Sequence, residues 1–232
     1  EMLRSLVGSE MCIRDRIMSH YYDENPEVQS DEKTIQYFYH KSQLKLTTDA
    51  GVFSKGKVDF GSDLLVRTFL NEHPPGPSKR IIDVGCGYGP IGLMIAKVSP
   101  HHQMTMVDVN HRALHLAEKN KKQNQIDNVI ITESDGLSQV ENEYFDFVLT
   151  NPPIRAGKNV VHRIFEEAYQ KLKNQGELYV VIQKKQGMPS AKKKMEEIFN
   201  NVETVNKSKG YYILKSQKGC CLLYTSPSPR DS

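Results

Sequence analysis

The sequence predicts an α/β protein built on a doubly wound, mostly parallel sheet of seven strands, the last antiparallel, with a small N-terminal hairpin and helix in front. Three observations predict it. From residue 80 onward, short apolar runs alternate with stretches of helical period, as in successive βαβ units. A glycine-rich turn joins the first of these strands to the helix behind it. Polar residues recur at or just past strand ends, at positions 83, 108, 135 and 151, on the sheet edge where open α/β folds bind ligands.

Composition sets the outer limits. The chain has 232 residues, 38% hydrophobic and 25% charged, enough for one sizeable core and a small appendage. No apolar run approaches the roughly 20 residues needed to span a bilayer, which argues against a membrane protein. The net charge of +3 is a small difference between 31 basic and 28 acidic residues, so a nucleic-acid partner depends on whether the basic residues cluster.

Both ends look foreign. Residues 1–17 (EMLRSLVGSEMCIRDRI) and 219–232 (GCCLLYTSPSPRDS) resemble translated sequencing-adapter read-through, and Met18 is a plausible initiator. Setting them aside removes four basic and four acidic residues and leaves the net charge unchanged. It also leaves Cys86 as the one native cysteine, with no partner for a disulfide or a zinc cluster. A reducing, cytoplasmic setting is the expectation. Residues 18–58 then form an N-terminal extension and loop, and 59–218 the main domain.

The elements follow in order. Gln36–Thr47 mixes aromatic and polar residues as hairpin strands do. A loop with two glycines follows, then a helix over Asp59–Leu70 with Leu64, Leu65 and Phe69 on one face, stopped by the prolines after His73. Strands are expected at Arg80–Val84, Met104–Val109, Val129–Glu133, Phe145–Thr150, Leu178–Gln183, Val202–Val205 and Tyr211–Lys215. Helices are expected at Ile91–Val98, Arg112–Gln123, Val160–Leu172 and Ser190–Phe199, with Gly176 turning the chain into the fifth strand and Gly210 between the last two.

Asp83-Val-Gly-Cys-Gly-Tyr-Gly89 joins strand to helix. Gly85, Gly87 and Gly89 allow a sharp turn and close approach to a ligand, and the helix behind offers unpaired N–H groups. Two cofactors compete for such a loop. Gly87-x-Gly89-x-x-Gly92 matches the dinucleotide spacing. Asp83, however, stands two residues before the first glycine, where a pyrophosphate gains nothing from a carboxylate. The cationic amine of S-adenosylmethionine would be attracted there, so the acid favours that cofactor. Asp108, 25 residues on, suits ribose hydroxyls in either case. Asp135-Gly136 would bring a carboxylate to an adenine amino group, although by itself the pair reads as a turn.

Asn151-Pro-Pro-Ile154 follows the fourth strand, beside the glycine loop. The prolines fix φ and remove two N–H donors. What remains is a rigid step with two acceptors, the Asn151 side-chain oxygen and the Pro152 carbonyl. Two acceptors at fixed separation suit a planar –NH₂ group, whose lone pair they would turn toward a sulfonium methyl. Catalysis of this kind is orientation plus electrostatics.

Asp83–Gly89, Asp108, Asp135 and Asn151–Ile154 together resemble the class I S-adenosylmethionine-dependent methyltransferases. The longer strings Asn151-Pro-Pro-Ile-Arg-Ala-Gly-Lys158 and Asp49-Ala-Gly-Val-Phe-Ser-Lys55 are similar to the RsmC-like "methyltransferase small domain" ribosomal RNA enzymes. The resemblance implies a Rossmann-like fold and methylation of guanine N2 in small-subunit (16S-type) ribosomal RNA, with S-adenosyl-L-methionine as cofactor and no metal. It implies that Asp83, Gly85, Gly87 and Gly89 hold the methionine end, Asp108 the ribose and Asp135 the adenine. Asn151 would touch both cofactor and target, and Asn151, Pro152, Pro153 and Ile154 would form the catalytic step. The partner would be ribosomal RNA or the small subunit, and a monomer is expected.

The chain departs from that family in two ways. It has no room for the second, degenerate domain of longer members. Many relatives place a base-stacking aromatic ring where Ile154 stands, so stacking must come from elsewhere, with Phe53 the first candidate. Lys55, Lys57, Arg155, Lys158, Lys184, Lys185 and Lys192–Lys194 fall in loops or helix starts, and several are expected near the same sheet edge, although Lys192–Lys194 read equally well as a solvated face. Cys86 reads as a small buried residue, and His101, His102, His111 and His115 as surface histidines. The rival readings are methylation of adenine N6 or of a protein glutamine amide, a nicotinamide-dinucleotide oxidoreductase, and a ribosome-binding module with a vestigial cofactor site.

Overall fold

The computed structural model describes residues 29–52, 56–74 and 76–219. The stretches 1–17 and 220–232, Met18, Phe53 and Lys55 lie outside the described residues.

The N-terminal hairpin pairs β1 (Lys33–Tyr39) with β2 (Ser42–Thr48) as a separate two-stranded sheet. Alternation buries Tyr37, Tyr39, Leu44 and Leu46 on one face. Helix α1 (Phe60–Glu72) follows, capped by Asp59, whose carboxylate accepts the Ser62 N–H at 3.2 Å.

Then come β3 (Arg80–Val84), α2 (Pro90–Val98), β4 (Gln103–Asp108), α3 (His111–Gln123), β5 (Val129–Glu133), β6 (Phe145–Thr150), α4 (Lys158–Lys171), β7 (Leu172–Gln183), α5 (Met188–Phe199), β8 (Glu203–Ser208) and β9 (Tyr211–Gln217). The expected seven-stranded sheet forms, in the order β5-β4-β3-β6-β7-β9-β8. Pairing is parallel from β5 to β7, and β9 runs antiparallel to both its neighbours.

Successive residues of the central strands feed opposite cores. Ile81, Met106, Leu149, Val181 and Ile213 pack with the hairpin and α1–α3, while Ile82, Val107, Val148, Val180 and Leu214 pack with α4 and α5. Strands buried on both faces therefore read as unbroken apolar runs. Each fully buried aliphatic side chain stabilises the fold by about 1.5–3 kcal/mol.

Three local expectations change. Strand β7 begins at Leu172 as soon as α4 ends, and the chain around Gln175 and Gly176 is an irregularity within its pairing to β6 rather than a preceding turn. Strand β8 runs to Ser208, because the two-residue turn Lys209–Gly210, with φ of 48° and 81°, lets the hairpin pair to its tip. His102 is buried, not at the surface: its Nδ1 accepts the Lys79 N–H at 3.2 Å, and burial pushes its imidazole down to about 4.

The sheet positions the site. Strand order reverses between β3 and β6, where Val84 pairs with Thr150. The residues that follow, Gly85 and Asn151, thus leave the same edge side by side at the switch point. Among the described residues no helix is long and apolar enough to cross a membrane.

Candidate active site

The glycine loop is tied to the end of β4. The Gly85 and Cys86 N–H groups both donate to the Val107 carbonyl, at 2.9 and 3.0 Å, and the Gly87 N–H donates to Asp108 Oδ2 at 2.8 Å. Gly85 has φ of +72°, and a Cβ placed on it would meet nothing within 4 Å. That conformation suits glycine, and the open space beside it is a recess in the sheet edge. Gly85, Asp108, Ser134, Asp135, Asn151 and Pro153 line it.

The predicted residues take up different stations around this recess. Asp83 stands behind the loop, fully buried, and does not line it. Its Oδ2 accepts the Gly92 N–H at 3.0 Å, so it satisfies one donor at the N-terminus of α2, while Oδ1 is buried without a hydrogen-bond partner among the described residues. Burial pushes the Asp83 carboxyl up to about 7, against the lowering effect of the Gly92 bond.

Asp108 does face the recess, but both its oxygens already accept backbone N–H groups, from Gly87 and from Asn110 at 3.0 Å. A carboxylate offers about four lone-pair sites, so it retains capacity for hydroxyl donors. Asp135 lies at the rim, held by the Arg163 guanidinium, which keeps its carboxyl below its ordinary value. Ser134 beside it carries a buried hydroxyl with no hydrogen-bond partner among the described residues.

Asn151 is the most constrained of the set. Its Nδ2 donates to Asp59 Oδ2 at 3.2 Å and to Ser62 Oγ at 3.0 Å. A carboxylate accepts and never donates, so the amide nitrogen must face α1 and the amide oxygen must face away from it. The Pro152 carbonyl accepts the Ile154 N–H at 2.9 Å, in a tight turn with Pro153 at φ −74° and ψ 79°. The second expected acceptor is therefore shared, with one lone pair left. Thr150 Oγ1, donating to the Val84 carbonyl at 2.9 Å, locks the step against the glycine loop.

Asp59 and Ser62 were not singled out in the sequence as site residues. Their signal was an N-cap pattern, Asp-x-x-Ser at a helix start, which by itself says only where α1 begins. Gly92, third glycine of the dinucleotide spacing, is enclosed: a Cβ there would lie 2.6 Å from Met106 Sδ and 3.2 Å from Asp83 Oδ2. Cys86 is buried, and burial holds its thiol well above its ordinary value, as expected of a packing residue.

Basic residues do gather at this edge. Lys57, Arg155, Lys158, Lys184, Lys185 and Lys209 are exposed in the segments that leave the strand ends or enter α1. Lys193 and Lys194, one turn into α5, are paired with Glu197 and Glu166.

Comparison with known proteins places these features in context. Residues 43–215 match the methyltransferase small domain family. The uncharacterized protein YbxB of Bacillus subtilis is 50% identical over 200 residues, covering 86% of this chain and 98% of that protein. The ribosomal RNA small subunit methyltransferase C of Vibrio vulnificus is 33% identical over 77% of this chain, and the match spans 51% of that relative. The chain thus spans nearly all of one relative and about half of the other. Among solved structures, the T. thermophilus 16S rRNA N2 G1207 methyltransferase (RsmC), in complex with AdoMet and guanosine, superposes with a TM-score of 0.72 at 24% identity, covering 83% of this chain and 52% of that one. That likeness supports the fold.

Proposed function

The chain belongs to the methyltransferase small domain family, and from that membership we propose that it is an S-adenosylmethionine-dependent N-methyltransferase acting on a guanine N2 amino group in small-subunit ribosomal RNA. The observation that carries this reading is the clamped Asn151 amide, its nitrogen held by Asp59 and Ser62 and its oxygen turned the other way. The membership also removes the dinucleotide reading, and Gly92, packed under Met106, has no room to approach a pyrophosphate.

The residues present fit the cofactor. The space over Gly85 is one that any side chain would enter, and Ser134 Oγ is a buried polar atom in need of a partner. In this reading the Gly85–Gly89 loop receives the methionine end, with Asp83 supplying negative charge from behind. Asp108 accepts ribose hydroxyls, and Ser134 and Asp135 border the adenine. When bound, S-adenosylmethionine supplies an electrophilic methyl group on a sulfonium.

The chain's own contribution is orientation. Asn151 Oδ1 and the remaining lone pair of the Pro152 carbonyl accept the two N–H bonds of the exocyclic amine. Bonding both hydrogens to fixed acceptors draws the nitrogen lone pair out of conjugation with the ring. It also aims that lone pair across the recess toward Gly85. The proline pair keeps the acceptors from yielding, so the geometry is set before the substrate arrives. The exposed lysines and arginine at the same edge supply the charge for a phosphate backbone. In this reading the protein works in the cytoplasm, beside its ribosomal substrate.

Radiolabelled methyl transfer onto small ribosomal subunits, onto naked ribosomal RNA and onto a glutamine-bearing protein tests this. Label on guanine N2, lost in Asn151→Ala while cofactor binding persists, is the expected result. Label on adenine N6 or on the protein, or full activity in Asn151→Ala, overturns it.

A further inference from the structure

A planar base offered edge-on to Asn151 needs a flat surface against one of its faces, and Ile154 provides no ring. Two rings stand nearby. Phe60 follows Asp59, the residue that holds Asn151, and Tyr211 opens β9 at the same edge of the sheet. Their centroids are 5.5 Å apart at 55°, and both side chains are half-buried.

Gly61 explains how they come together. A Cβ on Gly61 would lie 2.9 Å from Asp59 Oδ2 and 2.9 Å from Cδ1 and Cε1 of Tyr211. The Tyr211 ring and the carboxylate that orients Asn151 therefore flank one point on α1, and only the missing side chain lets the ring settle there. The hairpin tip adds a cation, since Lys209 Nζ lies 4.7 Å from the Phe60 centroid. The Lys184 N–H fixes that tip to the end of β7 by donating to the Gly210 carbonyl at 2.8 Å. The rings are held by α1, β9 and a tight turn, tilted to one another and packed in part against the core cluster behind them.

We propose that Phe60 and Tyr211 are the stacking surface for the target nucleobase, with Lys209 beside them neutralising a phosphate of the same RNA strand. This rests on the methyl-transfer reading above. The base stacks on one ring with the other at its edge, since the two are inclined at 55°, and presents its amine to Asn151, which divides the labour: the rings bind, and the Asn-Pro-Pro step orients. Aromatic stacking is tolerant of base identity, so the surface sets affinity while Asn151 and Pro152 select for an amine.

The test compares wild type with Phe60→Leu, Tyr211→Leu, Tyr211→Phe and Lys209→Ala in methyl transfer to ribosomal RNA. Loss of one stacking contact raises KM for RNA by about 5- to 150-fold, while the calorimetric Kd for S-adenosylmethionine stays at the wild-type value. Tyr211→Phe, which keeps the ring, recovers most of the loss, and Lys209→Ala lowers the salt dependence of RNA binding by about one counterion. Tyr169→Leu, at another lysine-faced ring, beside Lys218, serves as the control and leaves KM unchanged. Folded leucine variants with wild-type KM overturn the stacking surface and leave the transfer reading intact. If the leucine variants fail to fold, ultraviolet cross-linking of wild-type protein to ribosomal RNA decides. Adducts on Phe60 or Tyr211 support the proposal, and adducts confined to other segments, such as that of His162, overturn it. No transfer by wild type to any RNA overturns the underlying reading and the stacking surface with it.

Discussion

Asp59 Oδ2 accepts a hydrogen bond from Asn151 Nδ2 at 3.2 Å across 92 residues of sequence. The same oxygen accepts the Ser62 N–H that starts α1. One carboxylate thus begins a helix and dictates which end of a distant amide is its oxygen. Replacing Asp59 with alanine removes both. The lost cap costs about 1 kcal/mol in chemical denaturation. Ser62 Oγ still meets the amide, but a hydroxyl pairs with either of its ends, so the orientation is no longer fixed and methyl transfer falls by up to about 100-fold. Calorimetry of S-adenosylmethionine binding should show little change, because Asp59 does not line the recess.

Asp83 predicts a pH dependence. Its carboxyl is raised by burial to about 7 in the folded protein, above the ordinary carboxylate value. The folded state therefore holds the proton more tightly than the unfolded one, and Asp83's contribution to stability is full in acid and is lost as pH rises from about 4 through 7. Thermal melts of ligand-free protein should fall across that window in wild type, and less in Asp83→Asn. Cofactor affinity should run the other way, rising with pH as the carboxylate ionises to meet the cationic amine. In Asp83→Asn it should be weaker and flat.

Asn120 is fully buried in α3 and joins three parts of the fold. Its Oδ1 accepts the Thr47 N–H at 2.6 Å, and its Nδ2 donates to the carbonyls of Thr47 and Tyr88, at 2.9 and 2.8 Å. Asn120→Ala strips partners from β2 and from the glycine loop together. A loss of at least about 2 kcal/mol in urea denaturation is expected, and cofactor affinity should fall with it, since Tyr88 belongs to the loop.

Gly92→Ala inserts a methyl where Met106 Cγ and Sδ already stand within 2.7 Å. Relief requires Met106, fully buried, to change rotamer or α2 to move off the sheet. A cost of about 1–3 kcal/mol is expected. Equilibrium unfolding should show a lower midpoint with unchanged slope.

The strands and the placing of Gly85, Asp108, Asp135 and Asn151 around one recess were legible because they depend on local pattern plus one topological rule, whereas Asp83 sits behind the loop. Apolar runs mark buried strands, and residues after neighbouring parallel strands must share an edge. What stayed hidden depends on contacts between side chains far apart in sequence, which leave no periodicity. Nothing near Asp135 announces Arg163, and nothing near Asp108 says that Gly87 and Asn110 already use its oxygens. His102 looked like a surface residue because polarity alone was visible, whereas its ring nitrogen is satisfied by a backbone N–H. The stacking candidate Phe53 lies outside the described residues, and Phe60 and Tyr211 drew no notice because each reads as ordinary helix or strand filling.

Strand β9 is the last of the described strands in chain order, yet its place in the sheet is interior, between β7 and β8. Until residues 211–217 are synthesised, β7 keeps a bare, strongly apolar margin and β8 has nothing to zip onto. A nascent chain paused before Tyr211 should therefore be chaperone-dependent and protease-sensitive however well its earlier units have docked. Pairing for β8 and cover for the β7 margin would then arrive together, with one strand.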